Sequence, residues 1–166
     1  MIGTASKTTQ RTTAINAAFL REIKEEDCQL WKLLDHVELA LSEPARVAEN
    51  PEKVLVLLGQ FQQQLRGHFQ LEEVFGYCNI DPAVASRDAL PAEALRAQHG
   101  TLLTALCSVI ERAEAMLADW AYSTGGALRV AFLVSGFCEQ LFHHEAAENQ
   151  MIRRLLAESQ ADSQAA

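Results

Sequence analysis

The sequence predicts an all-α protein that folds as an antiparallel, up-down-up-down four-helix bundle. Ala, Leu, Glu and Gln are abundant, whereas only 8 Gly and 4 Pro occur among 166 residues, and this bias favours helix. Four segments place apolar residues three and four positions apart, and no segment alternates with period two over a useful length. Long helices with short or moderate connections pack as antiparallel neighbours, which gives the predicted topology.

The first two predicted helices each have a clear apolar stripe. The first helix runs from about Thr13 to Leu41 and ends before Pro44. Its stripe is Ile23, Leu30, Leu34, Val37 and Leu41. The second runs from about Pro51 to Gly76, with Asn50 as a suitable N-cap and proline at the favoured first helical position. Its stripe is Val54, Leu58, Phe61, Leu65 and Phe75.

The last two predicted helices follow a loop and a short turn. After the loop at residues 77–90, the third helix runs from about Pro91 to Trp120. Its stripe is Leu95, Leu102, Leu106, Val109, Ala113, Met116 and Trp120. A turn at residues 123–126 leads to the fourth helix, from about Ala127 to Glu158. Its stripe is Val130, Leu133, Phe137, Leu141, Met151 and Leu155.

The bulk properties describe one cytoplasmic domain. We expect flexible tails at residues 1–13 and 159–166 around a bundle at residues 14–158. A formal net charge of -8 argues against nucleic acid as a partner, because an acidic chain repels phosphates. No apolar run approaches the roughly 18 residues of a membrane span, and the Thr- and Ser-rich N-terminus lacks a secretory apolar stretch. The four Cys form no Cys-x-x-Cys pair, which favours reduced, partly buried thiols.

Ionisable residues interrupt all four apolar stripes. They are Asp27 on the first helix, His68 and Glu72 on the second, His99 on the third, and His144 and Glu148 on the fourth. Burying unpaired carboxylates costs several kcal/mol each even after relaxation. A bound cation neutralises such a cluster, because carboxylates and neutral imidazoles are its ligands. The sequence therefore predicts a metal site in the core.

The positions of these residues along the helices support one shared site. In an up-down-up-down bundle the start of the first helix, the end of the second, the start of the third and the end of the fourth lie together. All six residues fall in those parts of their helices. The pairs His68–Glu72 and His144–Glu148 have i,i+4 spacing and so share a helix face, about 40° apart in projection. A lone core histidine is more often structural, but the set at one depth favours metal.

Three other ionisable residues are weaker candidates for this site. His143 lies on a weaker helix face than His144, which is the better ligand because it is closer in projection to Glu148. Glu73 points away from the stripe, and a solvated side chain is the preferred reading over one that orients a ligand. His36 lies too far along its helix from Asp27 to join the same layer.

The sequence resembles the hemerythrin-like, or HHE, cation-binding domains over about residues 15–156. The matching motifs are the segment from His68 to Glu73, the pair Gln98–His99, and the segment from His144 to Glu148. The resemblance implies a non-heme di-iron centre bridged by two carboxylates, Glu72 and Glu148, with His68, His99 and His144 as terminal ligands. Members of the family bind or sense dioxygen, sense iron, or handle nitric oxide and peroxide.

The chain departs from the family pattern in two places. Asp27 stands where a histidine is expected, and the residues four positions either side of His99 are Leu95 and Leu103 instead of a second histidine. A more oxygen-rich site favours the ferric state and could accept manganese or zinc. Ferritin-like bundles are a weaker match, because their motif is Glu-x-x-His, with the glutamate first.

These patterns predict a non-enzymatic domain that binds two irons and dioxygen or a related small ligand. An oxidase or peroxidase that uses the same site is one alternative. A metal-free bundle that binds a partner is another, and any signalling would need a separate, unidentified protein.

Overall fold

The computed structural model describes residues 17–75, 89–119 and 124–165, and within these ranges the chain is helical with no strand. The helices are α1 (Ala17–Leu41), α2 (Pro44–Glu49), α3 (Pro51–Phe75), α4 (Ala89–Asp119) and α5 (Thr124–Ala165). The all-α prediction is confirmed, and the four long helices correspond to the four predicted ones.

The four long helices pack as a ring of neighbours. α3 lies against α1 and α4, and α5 lies against α4 and α1, so each long helix has two long neighbours. This arrangement is consistent with a four-helix bundle, in which α3 and α5 face each other across the core.

The short helix α2 was not predicted, because six residues are too few to show a helical period. Pro44 opens it at the favoured first position, and Val47, only 2% exposed, is its buried anchor. Since α2 packs against α5 as well as α1 and α3, it covers one part of the bundle.

Two helix ends differ from the predicted ones. The predicted turn at residues 123–126 is partly wrong, because α5 already begins at Thr124 and includes Gly125 and Gly126. α5 continues to Ala165, whereas residues 1–16 lie outside the described part of the chain. The division into tails and bundle stays a prediction.

The apolar core follows the predicted three- and four-residue spacing. Leu30, Leu58, Leu65 and Leu141 are fully buried, and Phe61 meets Phe137 edge to face at 6.1 Å between ring centroids. Burying each such side chain stabilises the fold by about 1.5–3 kcal/mol. This packing offsets the cost of the polar cluster that interrupts it. Among the described helices, none is both long and apolar enough to span a bilayer.

Candidate metal centre

Six buried polar side chains form the centre of the bundle among the residues whose side chains are described. They are His68, Glu72, His99, His144, Glu145 and Glu148, and none is more than 6% exposed. They come from α3, α4 and α5. The sequence predicted five of them as metal ligands, and the structure brings these five together.

One group of four side chains surrounds His99. Ligand atoms of Glu72, His99, His144 and Glu148 all lie within 4.8 Å of one another. Oε1 of Glu148 is 2.9 Å from Nε2 of His144 and 3.2 Å from Nε2 of His99. Oε2 of Glu72 is 3.5 Å from the same His99 nitrogen. Two imidazoles and two carboxylates therefore converge on one point.

A second group surrounds His68 and shares Glu148 with the first. Ligand atoms of His68, Glu145 and Glu148 also lie within 4.8 Å of one another. Nε2 of His68 is 3.2 Å from Oε1 of Glu145 and 3.3 Å from Oε1 of Glu72. Glu72 thus turns one oxygen to His68 and the other to His99, while Glu148 belongs to both groups. These two carboxylates therefore connect the two groups.

Phe69 packs against the imidazoles from within the core. Its ring is stacked on His99, with 4.1 Å between centroids and 3° between planes, and it meets His144 edge on at 5.4 Å. Because Phe69 is only 2% exposed, it fills this side of the cluster with an apolar ring. The aromatic wall fixes the plane of His99 and keeps water from that face.

Hydrogen bonds from outside the cluster set the orientation of two histidines. Nδ1 of His99 is 3.0 Å from a carboxylate oxygen of Glu73, and Nδ1 of His144 is 3.0 Å from the amide oxygen of Gln98. Since both oxygens only accept, each Nδ1 carries the hydrogen and each Nε2 is left with a lone pair directed into the cluster. The preferred reading of Glu73 as merely solvated is wrong, because it is only partly exposed and bonds to His99.

Burial keeps His99 and His144 neutral and Glu72 protonated. Desolvation lowers the pKa of His144 to about 4, with a smaller contribution from His99, and burial also lowers the pKa of His99. Desolvation raises the pKa of Glu72 to about 10, and the charge of nearby Glu148 adds to this. Neutral imidazoles cannot balance buried carboxylates, so at neutral pH Glu72 holds a proton unless a cation replaces it.

The donor atoms fit a metal ion. Nε2 of His144 and Oε2 of Glu72 are buried without a hydrogen-bond partner among the described residues. The first of these atoms is 2.9 Å from Oε1 of Glu148, so two lone-pair donors face each other with no aligned hydrogen between them. A cation between such atoms converts repulsion into ligation, and nitrogen with carboxylate oxygen is a donor set that first-row metals accept. The buried His and Glu cluster is able to hold a metal.

Comparison with known families agrees with this reading. The family model of the hemerythrin HHE cation binding domain matches residues 18–156. The chain belongs to the hemerythrin HHE family. Comparisons with curated proteins and with solved structures give no significant match.

In this hemerythrin-family chain, Asp27 and His143 are the remaining positions that the sequence analysis considered as ligands. The side chain of Asp27 lies outside the described residues, although its backbone is part of α1, so its role as a ligand stays a prediction. His143 is exposed while His144 is 3% exposed, which confirms that the second histidine faces the core.

Glu145 is the buried cluster residue that sequence reasoning missed. It lies four positions after Leu141 and three before Glu148, so it falls on the same apolar stripe. In projection it is about 60° from Glu148, on the side away from His144. This spacing was the sequence signal that Glu145 faces the core. Its contact with His68, on another helix, follows only from the packing of the helices.

Proposed function

We propose that this hemerythrin-family domain binds two iron ions and uses them to bind or sense dioxygen or a related small oxidant. The observation that supports this most directly is the pair of overlapping ligand groups, joined by Glu72 and Glu148. Two overlapping groups of this kind fit two metals better than one. His68, His99 and His144 would be terminal ligands, and the two glutamates would bridge.

The proposed site requires an antiparallel topology, which is part of the same proposal. The four long helices would run alternately up and down, as the sequence predicts. The contact between Glu73, near the end of α3, and His99, near the start of α4, supports antiparallel packing of that pair. The pairing of His68, in the second half of α3, with Glu145, at the middle of α5, supports a common layer for these residues.

Iron is the proposed metal because of the mixed donor set. Imidazole suits iron, zinc, copper and nickel, whereas carboxylate suits harder ions such as manganese and magnesium. A set of both types suits iron, with manganese or zinc as competitors. When bound, an iron pair supplies a redox-active, Lewis-acidic centre for a small oxidant. Residues around the site would orient its ligands. Glu73 and Gln98 hold the imidazoles of His99 and His144 in a fixed orientation, and Phe69 excludes water from one side of the cluster.

The first test is the metal content of the protein after anaerobic reconstitution with ferrous iron. We expect about two irons per chain, the number that a carboxylate-bridged bundle site holds. His144→Ala should lose metal, while His143→Ala, a change of the same kind on an exposed neighbour, should bind like the wild type. If the wild-type chain takes up no metal, the proposed function is wrong.

A di-iron oxidase or peroxidase is the second candidate function. The observation that favours it is the number of buried carboxylates, three in the cluster, because oxygen donors stabilise the oxidised metal. Peroxide consumption no faster than that of the same concentration of free iron would remove this candidate. A cytoplasmic location and an unidentified protein partner also stay proposals.

A metal-free bundle is the remaining alternative. It predicts an unchanged melting temperature when any divalent metal is added, whereas a metal bound by the native state must raise that temperature by mass action.

A further inference from the structure

Glu145 lies where a second metal ion would be bound. Its side chain is 8% exposed, and Oε1 is 3.2 Å from Nε2 of His68. The same carboxylate forms a compact group with His68 and Glu148 whose ligand atoms all lie within 4.8 Å. This position lies in the same buried cluster as His99 and His144, but Glu145 is outside the group around those two histidines.

Glu145 has two possible roles, and they require different protonation of Nε2 of His68. As a structural residue, Glu145 only accepts a hydrogen bond from Nε2 of His68. As a ligand, it shares a cation with that nitrogen, which then carries no hydrogen. Nε2 of His68 has two carboxylate oxygens nearby, from Glu145 at 3.2 Å and Glu72 at 3.3 Å. One N–H cannot be well aligned with both, whereas one cation can bind all three atoms.

The charge of the cluster favours the ligand reading. Glu72, Glu145 and Glu148 are all buried, and the basic group that Glu145 contacts is the imidazole of His68. In the described residues, the basic side chains that contact Glu72 and Glu145 are histidines only. A single divalent ion at the His99 group would be bound by Glu72 and Glu148 but would leave Glu145 outside its ligands. A second cation between His68 and Glu145 supplies the positive charge next to Glu145.

We propose, on the basis of the proposed metal-binding function, that Glu145 is a ligand of the second metal and makes the two metal positions unequal. The position at His99 has two imidazoles and two carboxylates. The position at His68 has one imidazole, with Glu145, Glu148 and one oxygen of Glu72. Its oxygen-rich set is the harder of the two and binds Fe²⁺ or Co²⁺ more weakly, because these ions gain affinity from imidazole nitrogen. The metal at His99 therefore binds first and the metal at His68 second.

The test is a metal titration of the full chain with Co²⁺, followed by visible absorption and by metal content after desalting. The wild type should bind two Co²⁺ in two steps of different affinity. Glu145→Gln should keep the first step and lose the second, with at least a tenfold weaker second affinity, which is the size of effect expected when a charged ligand is removed. Glu139→Gln, at an exposed position of the same helix, is the matched control and should bind like the wild type.

The choice of glutamine separates the two readings of Glu145. The amide oxygen of glutamine still accepts a hydrogen bond from His68, so a merely structural role survives the change, and both binding steps would then remain. That result overturns the proposal while the metal-binding function stands. A wild-type chain that binds one Co²⁺ also overturns it, and a chain that binds none overturns both. Circular dichroism of the metal-free variants checks that they fold, and Glu145→Ala, which should lose the same step, gives a second variant.

Discussion

At the scale of single residues, the site depends on side chains that never touch the proposed metals. Glu73 and Gln98 each accept a hydrogen bond from the outer nitrogen of a histidine, at 3.0 Å in both cases. Each bond selects the tautomer that turns Nε2 inward and fixes the ring against rotation. The two acceptors differ, because a carboxylate makes the imidazole more basic than a neutral amide does. Nε2 of His99 is therefore a stronger lone-pair donor to a metal than Nε2 of His144.

We predict that Glu73→Gln weakens metal binding without unfolding the protein. The amide oxygen of glutamine can still accept the bond from His99, but it no longer increases the basicity of the ring, so affinity should fall by about 10- to 100-fold. Competition with a chromogenic chelator measures this affinity. Glu111→Gln, an exposed position on α4, is the control and should leave it unchanged. Equal affinities for the Glu73 variant and the wild type would contradict a positioning role.

At the scale of the elements, α3 and α5 carry equivalent pairs, His68–Glu72 and His144–Glu148, each with i,i+4 spacing. The spacing and the depth of these pairs could be predicted, because a long helix fixes both the face and the height of every residue. Glu145 and Glu73 could not be assigned in the same way. Their roles depend on which residues of a neighbouring helix lie opposite, and that is a property of the packing. The short helix α2 was not predicted, because its six residues are too few to show a helical period.

The second prediction concerns α2 and the stability that it adds. Val47→Ala should lower the free energy of unfolding by about 1–3 kcal/mol, because it removes buried methyl groups at a position 2% exposed. Iron content should not change, since His68 lies about 25 Å along α3 from its start at Pro51, next to α2. Urea denaturation followed by circular dichroism measures the change. Val56→Ala, at a position 58% exposed, is the control and should cost far less.

At the scale of the whole molecule, the buried cluster makes the stability of the metal-free protein depend on pH from two sides. The pKa of Glu72 is raised from 4.5 to about 10, so its stabilising effect is complete below 4.5 and is lost progressively as pH rises from there to the folded value. The pKa values of His99 and His144 are lowered from 6.5, so their effect is complete above 6.5 and is lost as pH falls, towards about 4 for His144. Below about pH 6.5 the histidine effect and the Glu72 effect oppose each other, and above it only the Glu72 effect still changes with pH. The stability of the metal-free protein therefore falls as pH rises above about 6.5.

The third prediction follows from this balance and links stability to the metal. Between about pH 6.5 and 8.5 the metal-free wild type should lose stability, because the unfolded chain has released the proton that Glu72 keeps in the native state. A bound metal takes the place of that proton, so the stabilisation that Mn²⁺ or Fe²⁺ adds should grow over the same range. Urea denaturation of the metal-free and metal-loaded protein at both pH values measures the two slopes. In Glu72→Gln, where nothing titrates at this position, the loss of stability between the two pH values should largely disappear. A metal-free wild type whose stability is constant or rises over this range would show that Glu72 is ionised without a metal, and that the cluster does not need a cation to balance it.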